Sequence, residues 1–237
     1  MQQRQPNRTD EHAIDLAIDA DFDQGSPPGS SPAGHDIHAA SARNGGLWWL
    51  SLPSVHEPSA ELKAEFDASR ENAGYVPNQM LTLANKPRQL LASRELVKAL
   101  MADPDSDLCP FERELIALIV SVENRCDLCI VSHASLLRKI TGDPYRIGVI
   151  EINYRHADLS RRERALADFA IKITRFPSEV EPGDLDVMRA AGLSDTGILE
   201  AASIAAYFNM SNRLMSALGI KAQEQAYRAH RNDPSEV

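Results

Sequence analysis

Apolar positions recur at helical spacing along almost the whole second half and middle of the chain, and polar residues punctuate them where helices start and stop. "SAELKAEFDASRENAG" (59–74) is amphipathic and ends at a glycine, the residue that tolerates the left-handed conformation of a helix end. "KPRQLLASRELVKALM" (86–101) and "PFERELIALIVSVEN" (110–124) each place proline at the first turn, where its missing N–H costs nothing. "CDLCIVSHASLLRKITG" (126–142) closes on Gly142, and "SRRERALADFAIKITRFP" (160–177) opens with Ser160 three residues ahead of Glu163, a capping box. "PGDLDVMRAAG" (182–192) and "SDTGILEAASIAAYFNMSNRLMSALG" (194–219) complete the helices. "YVPNQM" (75–80) reads as a turn, because Pro77 restricts Val76 and Asn78 suits a bend. Alternating strands are missing from the pattern; "GVIEINYRH" (148–156) leans toward β but lies between helical stretches. The fold class expected is therefore all-α, a bundle of antiparallel helices.

Residues 111–122 and 162–173 share an apolar rhythm and a Glu-Arg start, which hints at two related helical hairpins. Two helices built to one amphipathic rule would also look alike without duplication. The first 45 residues depart from the pattern. "DQGSPPGSSPAGHD" (23–36) is too rich in Gly, Ser and Pro to bury apolar surface and reads as a disordered tail, with a short helix conceivable at 11–20. The division expected is a tail at 1–45, an all-helical domain at 46–225 and a C-terminal tail at 226–237. Trp48 and Trp49 would pack the entering arm onto the domain or onto a neighbouring subunit.

Composition narrows the function. A net charge of −9 over 237 residues, with no basic stripe, argues against nucleic-acid binding. No apolar run is long enough to span a bilayer, and the N-terminus lacks the order of a secretory signal, so the expectation is a cytoplasmic protein with no membrane partner. Three cysteines are too few for a disulfide scaffold. In a reducing compartment, a Cys-x-x-Cys pair points to catalysis or metal binding.

That pair is Cys126 and Cys129 in "ENRCDLCIVSH", followed by His133. At about 100° per residue the three fall within about 60° on one side of a helix. Cys129 and His133 are an i, i+4 pair, so the imidazole could reach the thiol directly or through one water. If "ENR" breaks the preceding helix, the cysteines sit at a helix N-terminus, where thiolate is favoured. One thiolate can then attack a peroxide O–O bond, and the second thiol can condense with the resulting sulfenic acid to a disulfide. Position nearest the helix end favours Cys126 as the thiolate; the facing histidine favours Cys129.

Simpler roles were weighed for each residue. Free cysteines pack as small apolar groups, and a buried histidine is often only a core residue. Glu114, taken alone, reads as a solvated acid near the start of its helix. Cys109 stands at an N-cap position before Pro110 and reads as structural, and Asn209, Asn212 and Arg213 read as bonding helix ends or lining a subunit contact. Cys109, Cys126, Cys129 and His133 would also supply a Cys3His zinc set, although three of them crowd two turns of one helix.

"ERELIALIVSVENRCDLCIVSHA" resembles the core of the alkylhydroperoxidase D and carboxymuconolactone decarboxylase superfamily, whose redox branch carries Glu-x(11)-Cys-x-x-Cys-x-x-x-His. Glu114, Cys126, Cys129 and His133 fill its four positions. "YVPNQM" and "AAYFNMSNRLMSALG" resemble the peroxidase-related subgroup, so the likeness spans roughly residues 47–220. It implies an all-α fold assembling as a homo-oligomer, trimeric or hexameric, and a thiol-dependent reductase of alkyl hydroperoxides that needs no cofactor or metal. It further implies that Cys129 attacks the peroxide, that Cys126 resolves and donates a proton, and that Glu114 relays protons through His133. A thiol or dithiol reductant would restore the pair. The alternative within the superfamily is a cofactor-free decarboxylase acting on lactones. One departure stands out: where the best-studied members carry a second histidine inside the pair, this chain has Leu128.

Overall fold

The computed structural model describes residues 48–53 and 55–231. The tail expected at 1–45 and the short helix at 11–20 lie outside them. The described residues form ten α-helices and two 3₁₀ turns, with no strand among them. In chain order the helices are α1 (Ala60–Ala73), α2 (Asn78–Leu83), α3 (Pro87–Met101), α4 (Pro110–Glu123), α5 (Asp127–Thr141), α6 (Pro144–Asn153), α7 (Arg161–Arg175), α8 (Pro182–Ala190), α9 (Asp195–Ala217) and α10 (Glu224–Arg228). No described helix is long and apolar enough to cross a membrane.

The axis of the fold is α4. Its residues Leu115 to Ser121 are buried without a break, as expected of a helix that neighbours surround on every side. It packs against α5, α7 and α9. Cys109 occupies the N-cap, and Glu112 accepts the Cys109 backbone N–H at 3.0 Å while also taking Arg162 Nε at 2.7 Å. The same box opens α7, where Ser160 Oγ accepts from the Glu163 N–H and Glu163 accepts from the Ser160 N–H. The two helices whose sequences echo each other are thus capped alike and packed together.

Two segments differ from the expectation. "YVPNQM" is not a simple turn: Pro77 is the N-cap of α2, and Asn78 starts that helix. Asn78 is buried and donates its side-chain amide to the Lys221 carbonyl, while Gln223 bonds the Asn78 N–H and the Val76 carbonyl. Tertiary bonds thus hold a six-residue helix too short to stand alone. The β-leaning stretch is helical. Asp143 caps the α6 N-terminus, Pro144 fills its first position, and Ile147 and Ile150 bury one face.

The apolar interior has two parts. The larger is built on α4, α7 and α9. The smaller gathers Leu62, Phe66, Met80 and Leu90 with Cys126, Leu128, Cys129 and Met215. Trp48 packs against this second part. Trp49 is largely exposed, donates its backbone N–H to the Leu218 carbonyl, and lies over Gly219. A Cβ at Gly219, which also has φ +59, would stand 2.2 Å from the Trp49 ring. Chain order continues past residue 225: Ala226 in α10 is buried, and the Ala229 carbonyl accepts Arg138 Nε of α5 at 3.1 Å.

Candidate active site

The cysteines sit at the junction of α4 and α5. The α4 helix ends in a six-residue closure: the Arg125 N–H bonds the Val122 carbonyl, and the Cys126 N–H bonds the Ser121 carbonyl. That pattern requires a left-handed residue at the position Arg125 holds, and Arg125 has φ 53 where glycine is usual. The reversal delivers Cys126 as the N-cap of α5 and Cys129 into its first turn. Both are buried and both are free thiols.

Their environments push the two thiols apart. Cys126 is drawn down to about 7, chiefly because the Cys129 S–H donates to its sulfur; burial opposes this, and the Cys129 backbone N–H and the Ser216 hydroxyl add to it. Cys129 is pushed well above the ordinary thiol range by that same bond, by burial and by the Cys126 charge, with the Asn212 amide pulling the other way. Of the two, the sulfur at the helix cap is the one whose thiolate is favoured.

Access runs in the opposite sense. A cavity of about 300 Å³ is lined by Cys129, His133 and Glu114, but not by Cys126. Its wall is mostly apolar and includes Leu128, Leu90, Met80 and Phe208. The three residues predicted to share one helix side are therefore split: Cys129 and His133 face the cavity, and Cys126 lies behind.

Glu114 projects from α4, and its Oε2 lies 2.7 Å from His133 Nδ1 on α5. Both side chains are largely buried, at 13% and 10% exposure, so Glu114 is not the solvated acid that its place near the helix start suggests. The Phe208 ring meets the imidazole edge-on, with centroids 4.4 Å apart. No hydrogen bond joins His133 to either sulfur among the described residues. Of the two ways the i, i+4 spacing offers, directly or through one water, the direct hydrogen bond is not formed; Nδ1 bonds Glu114 instead.

Cys109 is exposed at the α4 N-cap, remote in role from this pair. Among the described residues no three His, Cys, Asp or Glu side chains are grouped to hold a metal ion, so the Cys3His set is not assembled.

Asn212, which the sequence marks as bonding helix ends, and Ser216, which it does not single out, lie one turn apart on α9 and complete the thiol environment. Asn212 is fully buried; it donates to Ser121 Oγ at 3.2 Å and accepts from Asn124 Nδ2 at 3.0 Å. Asn124 Nδ2 also donates to Asn209 Oδ1. The available signal was one polar residue, Asn212, on the inner face of an apolar helix; Ser216 is exposed.

The carboxymuconolactone decarboxylase family model matches residues 89–153. A peroxidase-related protein from Silicibacter sp. TM1040 superposes with TM-score 0.74 at 35% identity, over 77% of this chain and 95% of that one. A peroxidase-related protein with an alkylhydroperoxidase AhpD core, from Ralstonia eutropha JMP134, gives 0.75 at 30% identity, over 78% and 97%. The chain belongs to this family. Its place is in the AhpD-like, peroxidase-related branch, and the fold is that of the branch. The debrominase Bmp8 shares the fold at 20% identity and TM-score 0.64, over 75% of this chain and 94% of its own. No curated protein matches the chain. The family match covers α4, α5 and α6, the elements that carry Glu114, both cysteines and His133.

Proposed function

We propose that the protein reduces organic hydroperoxides with the Cys126–Cys129 pair, using His133 and Glu114 to manage protons. The observation that carries this reading is the placement of two free thiols: Cys126 is buried at a helix cap, and its hydrogen-bonded neighbour Cys129 opens onto a cavity shared with His133 and Glu114.

The chemistry balances without a cofactor. As Cys129 Sγ attacks the terminal peroxide oxygen, its proton passes to the Cys126 thiolate. The O–O bond breaks, leaving Cys129 as a sulfenic acid and an alkoxide, which takes a proton from His133 and leaves as the alcohol. The Cys126 thiol then attacks the Cys129 sulfur. The S–O bond breaks, the hydroxide departs as water with the Cys126 proton, and a disulfide remains. Glu114 fixes the ring through Nδ1, so Nε2 is the nitrogen that exchanges protons with substrate. An external thiol or dithiol reduces the disulfide and closes the cycle. Homo-oligomeric assembly belongs to the same proposal; Tyr145 and Ile152 of α6, 82% and 87% exposed, are apolar surface for it to cover.

The test is a thiol count on purified reduced protein before and after stoichiometric tert-butyl hydroperoxide, with mass mapping of the Cys126–Cys129 peptide. Rapid loss of two thiols with an internal disulfide is the expected result. Thiols that stay reduced would instead favour cofactor-free decarboxylase or lactone chemistry at His133 and Glu114, and undiminished turnover of a lactone in a double cysteine variant would establish it.

A further inference from the structure

The cavity in front of Cys129 is apolar over most of its wall, yet one cationic side chain belongs to it: Arg94 of α3. The guanidinium is held in place from outside the cavity. Its Nε donates to Glu65 Oε2 at 2.9 Å, and Lys98 bonds the other oxygen of the same carboxylate. Two cations thus share one anion, so Glu65 does not fully offset the Arg94 charge. The two Nη groups of Arg94 make no hydrogen bond among the described residues. These are the paired donors that match a carboxylate. Ser93 and Tyr207 line the same wall as Arg94, and the Tyr207 hydroxyl meets Ser93 Oγ there at 2.8 Å. The cavity's carboxylate, Glu114, is already engaged by His133.

An apolar cavity with a braced guanidinium suits an amphipathic molecule. A neutral alkyl hydroperoxide would use the wall and leave the Nη donors idle. We propose that Arg94 is a carboxylate subsite, and that the substrates are hydroperoxides of carboxylic acids of the fatty-acid type. The acid group would be held at Arg94 and the peroxide presented to Cys129. This rests on the peroxidase reading for its chemistry but not for its binding, so the two can be tested apart.

The experiment uses the full-length reduced protein and its Arg94→Gln, Arg94→Lys and Glu65→Gln variants. Single-turnover loss of the Cys126 and Cys129 thiols is followed with linoleic acid hydroperoxide and with its methyl ester, both below saturation. The acid should react about tenfold faster than the ester in the wild type, the scale of one charge-assisted contact. Arg94→Gln should bring that ratio close to one, and Arg94→Lys should keep part of it. Glu65→Gln should widen it, because the guanidinium loses its competing anion. In parallel, calorimetry measures decanoate and decanol binding, which needs no turnover. A wild-type ratio near one, or a ratio indifferent to Arg94→Gln, overturns the subsite while leaving the peroxidase intact. Arg94-dependent decanoate binding with no thiol loss from either hydroperoxide supports the subsite and overturns the peroxidase. Absence of both signals overturns both.

Discussion

His133 Nδ1 and Glu114 Oε2 lie 2.7 Å apart across the α4–α5 interface, and no hydrogen bond joins the imidazole to either sulfur among the described residues. In the proposed reaction the histidine serves the substrate rather than the resting thiol. His133→Ala is expected to slow single-turnover disulfide formation about a hundredfold, the usual scale of one general acid. Glu114→Gln keeps a side chain that can hold the ring but removes the charge, so a smaller loss of about tenfold is expected. Stopped-flow thiol loss with tert-butyl hydroperoxide measures both.

The two cysteines should be separable by trapping and by pH. Cys129→Ser should abolish turnover and leave no sulfenic acid for dimedone to capture. Cys126→Ser should let the Cys129 sulfenic acid accumulate. In the wild type the attacking sulfur passes its proton to a Cys126 thiolate, so the oxidation rate should rise with pH as Cys126 ionises at about 7. Removing Cys126 removes the low-lying thiolate. Cys129 then ionises under burial, which raises its pKa, and the inflection should move to higher pH. An inflection that stays near neutrality in Cys126→Ser would place the first proton elsewhere.

Much of the fold was legible because its helices carry their own punctuation. Pro87, Pro110, the Ser160–Glu163 box and Gly142 mark ends that the structure reproduces within a residue or two. What failed was short or β-branched. Helix α2 has six residues and is held by Gln223 and Lys221, more than 140 positions away, so no local pattern announces it. Val149, Ile150 and Ile152 favour strands, but Asp143 and Pro144 start a helix there, and burial of Ile147 and Ile150 sustains it. In the site, the Cys-x-x-Cys-x-x-x-His spacing was readable because it is local. The partnership of Glu114 with His133 was not, since it joins two helices. Family resemblance, rather than residue physics, singled Glu114 out. Asn212 and Ser216 come from α9, and only folding brings them to the thiols.

Asn212 links thiol chemistry to stability. It is fully buried, and its amide serves Ser121, Asn124 and Cys129 together. Asn212→Ala removes one of the two acceptors of the Asn124 amide and the donor to Ser121 Oγ, and opens a small void, which should cost about 1–3 kcal/mol and appear as a lower Tm. Asn212→Asp replaces a donor by a negative charge beside Cys129. It should push that thiol up further and shift the pH–rate profile to higher pH, a signature that loss of stability alone would not produce.

Arg125 offers a change in the other direction. Its φ of 53 is a left-handed conformation that costs a residue with a Cβ about 1 kcal/mol relative to glycine. The side chain is exposed and makes no ion pair among the described residues, so little opposes its removal. Arg125→Gly should raise stability by about 0.5–1 kcal/mol, read as a higher Tm or denaturation midpoint. The bonds from the Arg125 and Cys126 N–H groups to α4 carbonyls remain available to glycine, so Cys126 should keep its place at the α5 cap. The disulfide-formation rate should then hold close to wild type. A more stable protein with a much slower pair would show instead that the strained arginine sets the geometry of the thiols. A less stable protein would mean that the guanidinium makes a contact worth more than the backbone relief.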